Sequence, residues 1–261
     1  MKKLIASLIF CATFTLAFSW GQKGHDVTTH IAERHLTDAT RAAIDSIFDG
    51  RSIVYWSNWL DNASHTPEYE YSKTWHYKNI DEGEDYATAA INPKGNIELA
   101  LYQIIADFKN GGLDKDQAVL NLKMLVHLMG DLHQPMHLGR LSDLGGNLCK
   151  VKYFGRDANL HGIWDTNLPE SAHKWSYTEW ADQIDRPALY DPEYVLAGTI
   201  SDWVRQTWII AKDVYGSTPE GTNISYDYVA MFTPVIEQQF LYGGLRLAHI
   251  LNEIFDPNYS K

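Results

Sequence analysis

The chain has 261 residues, 45% hydrophobic and 21% charged, with a formal net charge of −11. That is an ordinary globular composition. The acidic balance excludes a nucleic-acid groove built from lysine and arginine alone, but not an enzyme whose positive charge is a bound metal ion.

Lys2 and Lys3 open the chain, an uncharged apolar run extends from Leu4 to Phe18, and Ala17-Phe18-Ser19 supplies small residues around a cut after Ser19. This pattern predicts a signal peptide over residues 1–19 and a secreted or periplasmic mature domain over residues 20–261. The run is short for a membrane span, and bulky Phe10 before Cys11 argues against a lipid anchor. Loss of the two lysines takes the net charge to about −13. Only Cys149 remains, so no internal disulfide can form. An exported domain of this kind needs a good core or bound metal.

Thr37 is placed to cap a helix over DATRAAIDSIF, and Asn96 to start IELALYQIIADF, which stops at Asn110-Gly111-Gly112. Asp114 can start KDQAVLNLKMLVHLMGD. The aromatic, irregular segment from Ser64 to Pro93 reads as a packed surface loop, and the alternation in CKVKYFG (149–155) as part of a short β-hairpin. The stretches EYVLAGTISDWVRQTWIIAKDVY and YVAMFTPVIEQQFLYGGLRLAHILNEIF carry long apolar periodicity, and Pro234 and Gly243-Gly244 are expected to start, bend or interrupt the second. There are no repeats or linkers. The fold expected is a mainly α, single-domain multi-helix bundle around a cluster of polar residues, with a short β-hairpin.

That cluster begins in HLMGDLHQPMH, where titratable residues close an apolar run. Buried imidazole and carboxylate are costly unless paired, hydrogen-bonded or bound to metal. His127 and Asp131 are four apart and share a helix face. Pro135 must end or kink that helix near Asp131, letting His137 turn elsewhere. His161 and Asp165 in NLHGIWD repeat the four-residue spacing, Asp61 and His76 lie upstream in WLD and TWHY, and WGQKGH adds His25. A freed amino group at Trp20 can chelate metal with its own carbonyl. Nitrogen and carboxylate donors without thiolate favour zinc or a similar ion. Nine candidates are too many for one tetrahedral site and suit three, as a multinuclear zinc cluster.

These residues resemble the zinc-dependent single-strand-specific nucleases and 3′-nucleotidases of the mung bean nuclease type, in the phospholipase C-like superfamily. The resemblance covers essentially all of residues 20–261 and rests on W-G-x-x-G-H, W-L-D, T-W-H-Y, H-x-x-G-D-x-H-Q-P-x-H, G-G-N and N-L-H-x-x-W-D. It implies three zinc ions: one on Asp61, His76, His127 and Asp131; a second on His137, His161 and Asp165; a third on Trp20, His25 and a shared Asp131. His133 would support the site without ligating. The implied reaction is hydrolysis of single-stranded DNA and RNA to 5′-phosphorylated products, with 3′-nucleotidase activity, and Asp61 is the candidate for orienting the attacking water.

For substrate, Tyr77 is the candidate stacking platform, Asn79 the candidate reader of a base edge, and Gly145, Gly146 and Asn147 candidate cleft residues. The family often has aspartate where Asn79 stands, and a basic residue three positions after Asp61; here Ser64 stands there, followed by His65, the candidate substitute. Two rival readings fit the residues less well. A zinc phospholipase C has its next histidine farther from the leading tryptophan and glutamate as last ligand, whereas this chain has WGQKGH and Asp165. A purely structural zinc site is usually closed and cysteine-rich, unlike this cysteine-free, carboxylate-rich set. No stable protein partner and no membrane anchor are implied.

Overall fold

The computed structural model describes residues 20–260; the predicted signal peptide lies outside them. Helix α1 (Gln22–Arg34) carries His25 in its first turn. No helix was predicted here, because QKGHDVTTHIAER is polar on paper, yet Thr28 and Thr29 are fully buried beside Val27 and Ile31. Helix α2 (Asp38–Phe48) starts where expected, with the Thr37 side chain accepting from the Thr40 N–H. A 3₁₀ turn leads into α3 (Trp59–Ala63), which bears Asp61. The following segment is loop with one 3₁₀ turn, up to α4 (Ile97–Asn110), capped by Asn96.

Helix α5 (Lys115–Leu132) is the central element. Asp114 and Gln117 close a capping box at its start, and every residue from Met124 to Leu132 is buried. It ends before Pro135, as the proline requires, and Pro135–Leu138 forms a 3₁₀ turn. Strands β1 (Lys150–Tyr153) and β2 (Arg156–Asn159) form the expected antiparallel hairpin, with Val151 opposite Ala158. A third strand that the sequence did not suggest, β3 (Asn223–Ile224), adds to β1 in parallel.

Next come α6 (Leu160–Gly162), a π turn over Ile163–Asn167, α7 (Leu168–Ala172) and α8 (Tyr177–Ile184). The periodicity around residues 193–215 is split into α9 (Pro192–Leu196) and α10 (Ile200–Ser217), since Gly198 has φ +92° and Thr199 with Asp202 forms a new capping box. The last helix, α11 (Tyr226–Phe255), runs unbroken through Pro234 and both glycines. Among the described residues, no helix is long and apolar enough to cross a membrane.

Two apolar clusters fill the interior. One joins α2, α4 and α5 to part of α10 and the end of α11, with Leu101, Leu125, Leu128 and Leu251 fully buried. The other joins α1 and α8 to the middle of α11, around Trp20, Trp164, Trp180 and Phe240. The ends of α5 and α1 that carry polar residues are therefore enclosed by packed side chains. Gly243 and Gly244 do not break α11; they let it lie against α1. A Cβ on Gly244 would stand 2.6 Å from Ile31 Cβ and 2.8 Å from the Thr28 carbonyl oxygen. Gly244→Ala is expected to cost about 1–3 kcal/mol by forcing the helices apart. Gly216→Ala, whose added methyl meets nothing within 4 Å, should be neutral or slightly stabilising. Denaturant unfolding of the pair distinguishes close packing from mere helix preference.

Candidate metal centre

Asp131 is fully buried, and its two oxygens face different neighbours. Oδ2 lies 2.9 Å from His76 Nδ1 and 3.1 Å from His127 Nε2. Oδ1 lies 3.4 Å from His25 Nε2 and 3.5 Å from His137 Nδ1. One carboxylate on the inner end of α5 thus joins α1, the loop after α3, and the 3₁₀ turn after α5. Asp61 reaches in from α3, its Oδ1 3.3 Å from His127 Nε2. A neighbouring set comprises His161 Nε2, 3.1 Å from Asp165 Oδ2, and His137 Nε2, 3.9 Å from Asp165 Oδ1.

Three of the imidazoles are aimed by backbone carbonyls. His127 Nδ1 lies 2.7 Å from the Ser57 oxygen, His137 Nδ1 2.7 Å from the His76 oxygen and His161 Nδ1 2.7 Å from the Gly145 oxygen. A carbonyl only accepts, so each Nδ1 carries the proton and each Nε2 presents a lone pair to the centre. His76 is reversed: its Nδ1 faces Asp131 while Nε2 is buried without a hydrogen-bond partner. Space matters as much as polarity. His25 stacks on His127 with ring centroids 4.1 Å apart, and a Cβ on Gly130 would come within 2.6 Å of His25 Nδ1.

The charges are mutually set. Burial alone would push the Asp131 carboxyl up; His127 and His137 beside it outweigh that and hold it well below the usual carboxylate range. Burial likewise works against ionised Asp61, and His127 overcomes it, so that carboxyl is also lowered. Conversely, burial opposes charge on His127, but Asp131 and Asp61 raise its pKa well above normal. Asp165 does the same for His161 against its burial, whereas burial prevails at His137 and lowers it.

The donor set fits metal ions. His127 Nε2 has three ligand atoms at 3.1–3.3 Å, on Asp131, Asp61 and His76. One ring nitrogen cannot satisfy three hydrogen bonds. Ligands about 2.0–2.1 Å from a tetrahedral metal stand roughly 3.3 Å from one another, which matches these spacings. Three groups bring their donor atoms within 4.8 Å of one another: His25, His127 and Asp131; Asp61, His76 and His127; His137, His161 and Asp165. All eight side chains predicted from the sequence are therefore gathered, with His127 close to two groups. Trp20 is fully buried at the edge of the centre, and the next N–H, of Gly21, donates to the Asp165 carbonyl oxygen at 2.7 Å.

The predicted substrate residues are placed less uniformly. Lys78 and Ile80 donate backbone N–H groups to the oxygens of His137 and Gly139, so Tyr77 and Asn79 lie on a segment laced to the centre. Asn79 Oδ1 is buried, without a partner, and next to Gly145. Asn147 spends its amide N–H on the Leu144 carbonyl, 2.8 Å away. His65 is exposed, and no side-chain hydrogen bond or ion pair draws it toward the centre; Ser64 is buried behind Asp61. His133 supports from behind: its Nδ1 is 2.8 Å from the Met129 oxygen and its Nε2 accepts from Arg246. Burial and the Arg246 charge push its pKa down to about 3, so it stays neutral.

Sequence reasoning missed Gln134, whose buried amide donates to Asp165 Oδ1 and whose oxygen accepts the Met136 N–H. It also missed Asp26, which accepts from Ser57 Oγ at 2.6 Å and Asn58 Nδ2 at 2.7 Å and so fixes the carbonyl that aims His127. Gln134 stood inside a quoted motif; Asp26 had no spacing to mark it. A cleft of about 330 Å³ reaches the centre through Asp61 and Asp165, with Lys23, Asn58 and Thr166 also in its wall. None of Tyr77, Asn79, Asn147 or His65 lines it.

Neighbouring carboxylates raise the pKa values of His127 and His161, so metal must compete with protons for both rings. Loading chelated protein with a divalent ion at pH 7 should release protons, and affinity should weaken as pH falls. Calorimetry in buffers of different ionisation enthalpy, repeated from pH 8 to pH 6, measures both; pH-independent loading without proton release would contradict this ligand set.

A profile of the family described as S1/P1 Nuclease matches residues 20–256. Endonuclease 2 of Arabidopsis thaliana is 29% identical over 279 residues, covering 90% of each chain. Nuclease S1 of Aspergillus oryzae is 28% identical over 288 residues, covering 94% of this chain and 96% of its own. Nuclease P1 of Penicillium citrinum is 24% identical, covering 93% and 100%. With its imidazoles and carboxylates gathered into three candidate metal-binding groups and residues 20–256 matched, this chain belongs to the S1/P1 nuclease family, hydrolases that act on phosphodiester bonds.

Proposed function

We propose that the chain is a zinc-dependent nuclease that hydrolyses single-stranded DNA and RNA to 5′-phosphorylated products, and 3′-nucleotides as well. The observation that carries this reading is the buried Asp131 carboxylate, whose two oxygens face imidazoles from all three adjacent His/Asp groups. In this reading three zinc ions are held as the resemblance implies, with Trp20 completing the third set through its amine and carbonyl once residues 1–19 are removed. Zinc in such sites supplies Lewis-acid charge and lowers the pKa of water.

The chain's own groups do the rest. Asp61 lies both in the centre and in the cleft wall. Its carboxylate can orient a water and accept its proton as the oxygen attacks phosphorus. The P–O3′ bond breaks, the departing 3′ oxygen takes a proton from solvent, and the products carry phosphate on the 5′ oxygen of one and a 3′ hydroxyl on the other. Gln134 holds Asp165 in place, and the carbonyls of Ser57, His76 and Gly145 hold three imidazoles. Single-strand preference follows from the setting: an unpaired chain can splay a base away and bring its phosphate to a recessed centre, as a stiff duplex cannot. Tyr77 and Asn79, on the segment bonded to residues 137–139, are the proposed base contacts.

Protein beginning at Trp20 should cleave single-stranded DNA and RNA, lose activity with chelator, regain it with zinc, and leave 5′-phosphates by mass. A folded, zinc-loaded protein that cleaves neither would overturn the reading and turn attention to phosphatidylcholine. Asp61→Asn should lower kcat by about a hundredfold or more while retaining most of the metal, by elemental analysis. Near-normal rates with full zinc would remove Asp61 from the proton-accepting role.

A further inference from the structure

Resting on the nuclease reading, we infer that the cleft beside the centre seats the nucleotide adjoining the cut, and that Lys23, held ready by Glu170, binds its phosphate. The cleft's volume of about 330 Å³ lies at the small end of the roughly 300–1,000 Å³ typical of ligand pockets. It suits one flexible nucleotide.

The cleft adjoins the reacting position, since Asp61 and Asp165 belong both to its wall and to the candidate ligand groups. A strand whose phosphate lies at the centre can continue into it without crossing solvent. Lys23, in the first turn of α1, is the one cation lining it. Its Nζ lies 2.8 Å from Glu170 Oε2 on α7, with side chains 20% and 50% exposed respectively. An ion pair so open to water is weak, whereas phosphate offers Lys23 charge-assisted bonds. The pair therefore acts as a holder: it keeps the ammonium ordered in the cleft, and an arriving phosphate takes it over.

The rest of the wall agrees. Asn58 is held in the wall by its amide N–H, which donates to Asp26. Gly21 keeps the floor low: a Cβ there would stand 2.7 Å from the Asp165 oxygen and 2.8 Å from Thr166 Oγ1. On a chain with net charge −11, a single cation placed here has a large share in retaining a polyanion.

The test compares an octanucleotide with bis(p-nitrophenyl) phosphate, which has no flanking nucleotide. In Lys23→Gln the ratio of kcat/KM for the first to that for the second should fall roughly three- to tenfold, one partly exposed phosphate contact. Binding of an uncleavable phosphorodithioate octanucleotide to the zinc-loaded protein, read by fluorescence anisotropy, should weaken equally. Its dependence on log salt should lose about 0.7 in slope, one phosphate on a single strand. Glu170→Gln should raise the ratio, and that gain should vanish in the double variant. If the wild type cleaves and binds but neither variant moves ratio or slope, the Lys23 assignment is wrong and the nuclease reading stands. If the wild type neither cleaves nor binds oligonucleotides, both fall together.

Discussion

A carboxylate with no exposure to water is the constraint on which this molecule is organised. Asp131 sits where α5 is buried on all sides, and an isolated buried charge is too costly to persist. Its oxygens must be compensated, and compensation comes from four imidazoles, His127 on α5 itself and His25, His76 and His137 on three other segments of chain. Each of those rings is itself costly to bury. The polar centre is therefore a single mutual arrangement, in which no member is stable alone and divalent ions complete the set.

That requirement explains features far from any ligand. Gly130 is small because His25 needs its space, and Gly243 and Gly244 are small because α1, which carries His25, must lie close to α11. Arg246 in α11 is buried with no carboxylate beside it; it bonds His133, the Val195 carbonyl and Gln206. Burial lowers its pKa to about 9, so it remains charged at neutral pH and braces the turn that follows Asp131. The core and the centre are one design problem, since the helices that bury the apolar residues also fix the distances between donors.

Much of this was legible in the sequence where a physical rule has a sequence signature. Capping residues at Thr37, Asn96 and Asp114 marked helix starts, and four-residue spacing put His127 with Asp131 and His161 with Asp165. Helix α1 was hidden because buried threonines look polar, and the break between α9 and α10 because Gly198 and Thr199 lie inside an apolar pattern. Which ring nitrogen faces the centre was also hidden. That choice is made by the carbonyls of Ser57, His76 and Gly145, and every residue has a carbonyl. The cleft was hidden for a similar reason: Lys23, Asn58 and Thr166 are far apart in sequence and become neighbours only after folding.

The acidic surface and a polyanionic substrate are reconciled by distance. At physiological salt, exposed charges are screened beyond about 8 Å, so the net charge of −11 acts on encounter more than on a strand already in the cleft. Inside, metal ions held by Asp61, Asp131, Asp165 and their imidazole neighbours would place positive charge in the recess, in a setting where buried charges are screened far less. The surface thus disfavours nonspecific adhesion along a nucleic acid, while the recess attracts a single phosphate strongly. Affinity concentrated at one recessed point, with little from a basic surface, favours chains flexible enough to bring a phosphate to it. Strand selectivity is then a consequence of where the charge is placed, before any base is read.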